Sequence, residues 1–233
     1  MPLLSILMAT KNESFLFLRK CIESIESQTF QDYKFYIIID SFDDINTEYL
    51  QSICKENSKF VLLCNSNNPG LAASRNYGIL NSESKYIAIV DSDDYYDKNK
   101  FLLQINFLEE NEDISLVGTN ILLVNENDNI IGERRYPKFY NEIKKQFLFK
   151  MPIANSSIIV KRKDLLEVGL FDENYNKAED MELWLRFLSS DKKMSNMQEN
   201  LVFYRVPEDE NMKRGSEHYQ NYYTALKNNG KNI

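Results

Sequence analysis

Three short segments carry the side chains with most to offer chemistry: Asp40-Ser41, Asp91-Ser92-Asp93-Asp94 and Glu179-Asp180. Carboxylates two apart at a strand end can converge on one hard cation. Mg²⁺ and Mn²⁺ take oxygen ligands and fill their remaining positions with water or phosphate oxygens. Such a metal neutralises a diphosphate and acts as a Lewis acid on a leaving phosphate. A carboxylate at the start of an amphipathic stretch, as in Glu179-Asp180, can take a proton from an attacking hydroxyl. Acids there also suit the positive end of a helix, whatever their chemistry. Single Asp or Asn residues at strand ends serve equally as turns and caps; three such ends on one sheet edge point to a site. No GxGxxG and no GxxxxGK[ST] occurs anywhere in the chain, which argues against a dinucleotide oxidoreductase and a P-loop kinase or ATPase.

Composition narrows the choice further. The 233 residues suffice for one substantial domain. Apolar residues make up 43% and charged residues 27%, as in ordinary globular proteins. Lys plus Arg is 28 against 35 Asp plus Glu, a net charge of −7. Affinity for a nucleic-acid backbone comes from clustered cations, so no nucleic-acid partner is expected, and an anionic ligand must be held locally. One histidine, His218, excludes a His-rich zinc site. Cys21, Cys54 and Cys64 form no CxxC pair, and an odd number of thiols argues for reduced cysteines in a cytoplasm. Leu3–Ala9 lacks a preceding basic region and reads as a buried strand rather than a signal peptide. No apolar run approaches the roughly 18 residues of a membrane span.

The elements that must position these residues alternate. Leu3–Met8, Phe35–Ile39, Phe60–Leu63 and Tyr86–Val90 are continuous apolar runs, the signature of strands buried on both faces. Between them, Phe15–Ser27 (with Asn12 or Ser14 as cap), Thr47–Glu56 and Leu71–Leu80 carry helical spacing, and Lys98–Asn111 follows. This rhythm predicts a parallel, doubly wound sheet with right-handed crossovers, whose ligands sit beyond the carboxyl ends of the strands. Those ends carry Ala9-Thr10-Lys11-Asn12, Asp40-Ser41 and Asp91–Asp94. The second half predicts a hairpin of Ile114–Val124 and Ile130–Arg135, a helix over Tyr140–Phe149, a strand at Ser156–Val160, a helix over Glu179–Ser189 and a last strand at Leu201–Tyr204.

The ordered set SILMATKNE, FYIIIDSFDD, NNPGLAASRNYG, YIAIVDSDDYYD and AEDMELWLRF resembles family 2 glycosyltransferases of the GT-A fold, over about residues 3–205. The resemblance implies an α/β fold with a single Rossmann-like, mostly parallel central sheet flanked by helices and a small antiparallel part. It implies a nucleotide-sugar-binding half over about 1–96, an acceptor and catalytic half over about 97–205, and a tail over 206–233. The implied activity is transfer of a hexose or N-acetylhexosamine from a UDP-sugar to a hydroxyl of a glycan or lipid-linked glycan, with inversion and with Mn²⁺ or Mg²⁺, in surface-polysaccharide assembly. Carried over residue by residue, Ala9 and Asn12 lie in the first nucleotide-contacting turn. Asp40 meets the uracil or ribose, Arg75 and Asn76 flank the base and diphosphate, and Asp91 and Ser92 lie near the ribose. Asp93 is the metal ligand, Asp180 the catalytic base and Glu179 its support, while Trp184 and Arg186 shape the acceptor side.

Two places depart from the family pattern. Asp40-Ser41-Phe42-Asp43 puts a bulky Phe where many members have a glycine turn. Tyr204-Arg205-Val206 leads to Pro207 rather than to a histidine, which leaves Lys213 or Arg214 as substitute contacts for the diphosphate. Beyond Pro207, Lys213, Arg214, Lys227 and Lys231 among Tyr219, Tyr222 and Tyr223 make a basic, aromatic helix, expected over Ser216–Asn228, that suits packing on the domain or peripheral contact with the inner face of the membrane. Two rivals stand against the transferase. A sugar nucleotidyltransferase needs a basic, glycine-rich loop after its first strand, which Met8–Asn12 lacks; a non-catalytic nucleotide-sugar-binding module has no need of both Asp93 and Asp180.

Overall fold

The protein is described here by a computed structural model covering residues 1–175, 178–206, 224, 225 and 227. The first half follows the expected rhythm: β1 (Leu4–Thr10), α1 (Phe15–Glu26), β2 (Tyr33–Ile39), α2 (Thr47–Glu56), β3 (Phe60–Cys64), α3 (Leu71–Leu80) and β4 (Tyr86–Asp91). The strands lie in the order β3-β2-β1-β4 and are all parallel. Their unbroken apolar runs reflect helices on both faces. Ile6 and Met8 pack with Leu18, Ile22 and Ile25 of α1, whereas Leu7 and Ile38 point the other way and pack with Ile79 of α3. Register brings the strand ends level: Thr10 lies beside Ile39, and Ala9 beside both Ile38 and Asp91.

The same sheet continues through the second half. It contains β5 (Tyr95–Tyr96), α4 (Lys100–Glu110), β6 (Ile114–Val124), β7 (Ile130–Arg134), α5 (Tyr140–Gln146), β8 (Ile159–Lys161), α6 (Arg162–Val168), α7 (Glu179–Ser189) and β9 (Lys193–Arg205). The strand order runs on from β4 as β8-β6-β9-β5, with β7 paired to β6 as the expected hairpin. β8 is antiparallel to β4 and β6, and β9 is parallel to β6. Because β4 pairs with β8, the two functional halves expected from the sequence share one sheet and one core.

Four elements differ from the sequence reading, the first being the strand expected over Ser156–Val160, which is a single 3₁₀ turn, Asn155–Ser157, followed by β8. Strand β9 starts at Lys193 rather than Leu201, because Met194 to Met197 also pair with β6. Its polar early residues are tied laterally: Ser195 Oγ donates to the Lys138 carbonyl and Asn196 Nδ2 to that of Pro137. Strand β5 is two residues long and carries no period. Helix α6, seven residues ending at Gly169 (φ 102°), is too short for a helical stripe to show.

Lys100 is an anomaly in the core. Its side chain is fully buried between the rings of Tyr96 and Phe101, 5.3 and 4.7 Å from their centroids, and its Nζ has no hydrogen-bond partner among the described residues. Burial alone pushes its ammonium down to about 7. Above that pH the folded chain holds one proton fewer than the unfolded chain, so this residue makes stability rise from about pH 7 towards the ordinary lysine range near 10.5. Lys100→Met is expected to raise stability at neutral pH by on the order of a few kcal/mol and to flatten that rise. Denaturant unfolding of both proteins at neutral and alkaline pH checks this; parallel curves would refute it.

Candidate active site

Arg75 occupies the junction of the two halves. It projects from the middle of α3 and is almost wholly buried. Its Nη2 donates to Asp91 Oδ1 at the end of β4 (3.1 Å), and its Nη1 donates to Glu179 Oε1 at the start of α7 (2.8 Å). The planar guanidinium can serve two carboxylates from different elements at once, which a lysine cannot. Burial, followed by the charge of Asp180, raises the Glu179 carboxyl, and the Arg75 charge opposes that rise. This bridge places Asp91, Glu179 and Asp180 on the wall of one cleft of about 1380 Å³.

The N-terminal turn of α3 forms another part of the wall, through Gly70, Leu71, Ala72 and Ala73. Gly70 adopts φ 136°, a conformation that L side chains rarely adopt. Its N–H reaches Asp40 Oδ1 (3.3 Å), which also accepts the Ser74 hydroxyl (2.7 Å). Asp40 thus ties β2 to the start of α3, with Lys11 Nζ 3.6 Å from its other oxygen. No acid sits in the first turn of α3, so the helix end turns free amide dipoles and small side chains towards the cleft, a favourable setting for an anion.

The remaining predicted residues fall into two groups. Ala9, Asn12, Ser92 and Asp93 stand with Asp40 at the level strand ends but are not among the residues that line the cleft. Asn12, at φ 50°, organises the loop that carries the unusual Phe42: its N–H donates to Asp44 Oδ2 (2.5 Å), and its Oδ1 accepts the Ile45 N–H (3.2 Å). Phe42 itself points to solvent, so Asp44 takes over the shaping of a turn that glycine makes elsewhere. Ser92 donates to Glu13 Oε2 (3.1 Å).

Asn76, Trp184 and Arg186 must be corrected. Both amide ends of Asn76 are spent on the 171–173 segment: Nδ2 donates to the Phe171 carbonyl and to Glu173, and Oδ1 accepts the Phe171 N–H. Asn76 follows Arg75 on α3 and so projects to a different face, where it locks a loop rather than flanking a diphosphate. Trp184 is wholly buried, edge-on to Phe171 and Phe187, and no acceptor can reach it. Arg186 grips Glu182 two ways and the carbonyls of Val168 and Leu170, fixing the end of α6 against α7. The i, i+4 spacing of Glu182 and Arg186 was visible in sequence and points to this helix-surface pair.

Sequence reasoning missed Arg205, the last residue of β9. It is buried, and its backbone N–H donates to Asp94 Oδ1 (2.9 Å) and its Nε to the Asp93 carbonyl (3.0 Å). The far end of its guanidinium holds the Asn125 carbonyl and Asp128, and lies 3.9 Å from the centre of the Phe17 ring. Arg205 thus braces the Asp93-Asp94 turn from the end of β9. Lys213, Arg214, His218 and the tail tyrosines lie outside the described residues.

A divalent cation fits the donors present. Burial, then the charges of Asp91 and Glu13, pushes the Asp93 carboxyl up to about 6. Asp94 is pushed up by burial and then by Asp93 and Asp91. Carboxyls raised by burial beside like charges are relieved by a hard cation. Among the described residues no three His, Cys, Asp or Glu gather into a cage. Mg²⁺ and Mn²⁺ do not require one when substrate phosphates complete their shells.

With this geometry in hand, comparison with known proteins is decisive. The family model for glycosyl transferase family 2 matches residues 5–169. The chain belongs to this family. It is 34% identical to "Uncharacterized glycosyltransferase MJ1057" of Methanocaldococcus jannaschii, over 99% of this chain and 80% of that protein. It is 29% identical to the O-antigen biosynthesis glycosyltransferase WbnJ of Escherichia coli, over 85% of this chain and 78% of that one. It is 28% identical to the minor teichoic acid biosynthesis protein GgaB of Bacillus subtilis, over 83% of this chain but only 22% of GgaB. The GT-A fold is also that of S. aureus TarS residues 1–349, solved with UDP-GlcNAc: TM-score 0.76 at 17% identity, covering 97% of this chain and 67% of TarS 1–349. The protein is therefore a family 2 glycosyltransferase of the GT-A fold.

Removing Arg75 leaves two carboxylates facing each other, one of them buried. Arg75→Met is expected to cost about 3 kcal/mol, chiefly through Glu179. Arg75→Lys should recover less than half, because one ammonium cannot span both partners. Denaturant midpoints measure both, and a loss below about 0.5 kcal/mol for Arg75→Met would show that the bridge is not structural.

Proposed function

We propose that this glycosyltransferase moves a hexose or N-acetylhexosamine from a UDP-sugar to a hydroxyl of a glycan or lipid-linked glycan, with inversion, in assembly of a surface polysaccharide. The observation that carries the reading is that Asp91 and Asp180, from opposite halves of the chain, line one cleft and are joined through Arg75 and Glu179. An in-line displacement needs a donor on one side and a proton acceptor on the other, and a cleft walled by Asp91 from the first half and Asp180 from the second supports that reading. The TarS complex with UDP-GlcNAc supports the donor class, and the relatives named for O-antigen and teichoic acid biosynthesis support the acceptor class.

Asp180 is the proposed base. It sits in the first turn of α7, and its Oδ1 accepts the Met181 N–H (2.7 Å). That bond orients the carboxylate and the helix dipole favours its charge. Glu179 is neutralised by Arg75, which positions the turn, while Asp180 takes the proton of the acceptor hydroxyl as the new bond forms. Asp40 and the amide dipoles of the α3 N-terminus would hold the nucleotide and its phosphates. Mn²⁺ or Mg²⁺, held by Asp93 with help from Asp91, would stabilise the charge on the departing diphosphate.

Two measurements test these roles. Asp180→Asn should retain UDP affinity within a few-fold while transfer falls by about 10²–10⁴-fold; unaltered turnover with a nucleotide-sugar panel would remove the base. Asp93→Ala should weaken Mn²⁺ binding in the presence of UDP at least tenfold, read by the electron paramagnetic resonance of free Mn²⁺. Wild-type Mn²⁺ affinity in that variant would remove the ligand.

A further inference from the structure

The acidic total conceals a basic face. Residues 130–151 carry Arg134, Arg135, Lys138, Lys144, Lys145 and Lys150 against only Glu133 and Glu142, a net charge of +4 in a chain whose total is −7. These residues follow one another from the end of β7 through α5. Arg134, Arg135 and Lys150 line the cleft, so the basic stretch forms part of its rim.

Large apolar side chains stand among these cations. Phe149 is 82% exposed, Phe139 62% and Leu148 50%, while Ile143 and Phe147 of the same segment are buried and anchor it to the core. Ile143 and Phe147 thus anchor the segment, while Phe139, Leu148 and Phe149, which flank α5, stay exposed among lysines, Phe149 at the edge of the cleft. A soluble polyanion would be held by the cations alone and offers nothing to Phe149, Phe139 or Leu148. An anionic bilayer satisfies both sets: the lysines meet lipid phosphates and the apolar groups enter the headgroup boundary. Exposed apolar surface rimmed by charge is a recurrent mark of such contacts.

We infer that the α5 rim of the cleft docks the protein on a bilayer containing anionic lipid, with the mouth of the cleft towards the membrane surface. This docking deepens the proposed function, since a lipid-linked acceptor would then meet the cleft at the plane where its head group lies. Docking itself requires no metal, donor or acceptor.

The full-length protein is sedimented with sucrose-loaded vesicles, either pure phosphatidylcholine or phosphatidylcholine with about 30% phosphatidylglycerol. Wild type should pellet with the anionic vesicles, leave the neutral ones in large part, and weaken as salt rises towards about 1 M, where screening acts within about 3 Å. Lys145→Glu with Lys150→Glu should lower the partition coefficient by about thirtyfold or more, at roughly fivefold for each lysine lost. Leu148→Ser with Phe149→Ser should lower binding at high salt most, because only the apolar share survives there. If the Glu pair fails to fold, as judged by its thermal melt, Lys145→Gln with Lys150→Gln asks the same question. Absence of wild-type binding, or variants that bind like wild type, would overturn the inference. Retention on immobilised polyphosphate without vesicle binding would assign the rim to a charged glycan and overturn it too. Because the readout uses neither donor nor acceptor, its failure leaves the proposed transfer untouched, and a vesicle-bound protein with no transferase activity would refute the transfer alone.

Discussion

Everything in the candidate site hangs on one buried guanidinium. Arg75 reaches from α3 to Asp91 on β4 and to Glu179 on α7, three elements remote in sequence and assigned to both functional halves. Buried charges are tolerated only when paired and hydrogen-bonded. Each of the three therefore depends on the others' placement, and Asp180 is carried along beside Glu179. The bridge ties residues of the two halves together on the wall of one cleft, in keeping with the shared sheet.

The second constraint is crowding of like charge. At the end of β4 burial, and then the neighbouring carboxylate charges, push up the Asp93 and Asp94 carboxyls. The protein opposes this with arginines that come from elsewhere. Arg75 takes Asp91, and Arg205 at the far end of β9 clamps the backbone and side chain of the Asp93-Asp94 turn. Proteins accept such unfavourable clusters where function requires them, and a divalent cation is the chemical complement of what remains. The acid excess of the chain is thus spent locally at this edge, while the opposite charge collects on the α5 rim.

The parallel half of the fold was legible because its physics is local. Strands buried on both faces must be apolar throughout, and amphipathic helices must repeat every third or fourth residue, so β1 to β4 and α1 to α3 show themselves directly. Short or laterally tied elements do not. β5 and α6 are too brief for any period, and the early half of β9 is polar because carbonyls of the 136–138 segment bind its side chains. Among the residues singled out by motif order, Arg75, Asp91, Glu179 and Asp180 line one cleft, Asp40 and Asp93 stand at the strand ends outside its lining, and Asn76, Trp184 and Arg186 are engaged in packing contacts. Those three stand next to or near true cleft residues on helices, where a shift of one to six positions turns a side chain from the cleft to the core or to a neighbouring loop.

By itself the sequence determined the family, the parallel sheet and the edge at which its carboxylates gather. Period, strand-end chemistry and motif order are written along the chain. Only the tertiary structure decided which charges meet: that Arg75 spans Asp91 and Glu179, that Arg205 braces the Asp93-Asp94 turn, and that cations within an acidic chain gather at the cleft's rim. Those facts depend on distances between residues 16 to 112 positions apart, and no local pattern encodes a distance that the packing of the whole sheet has to create.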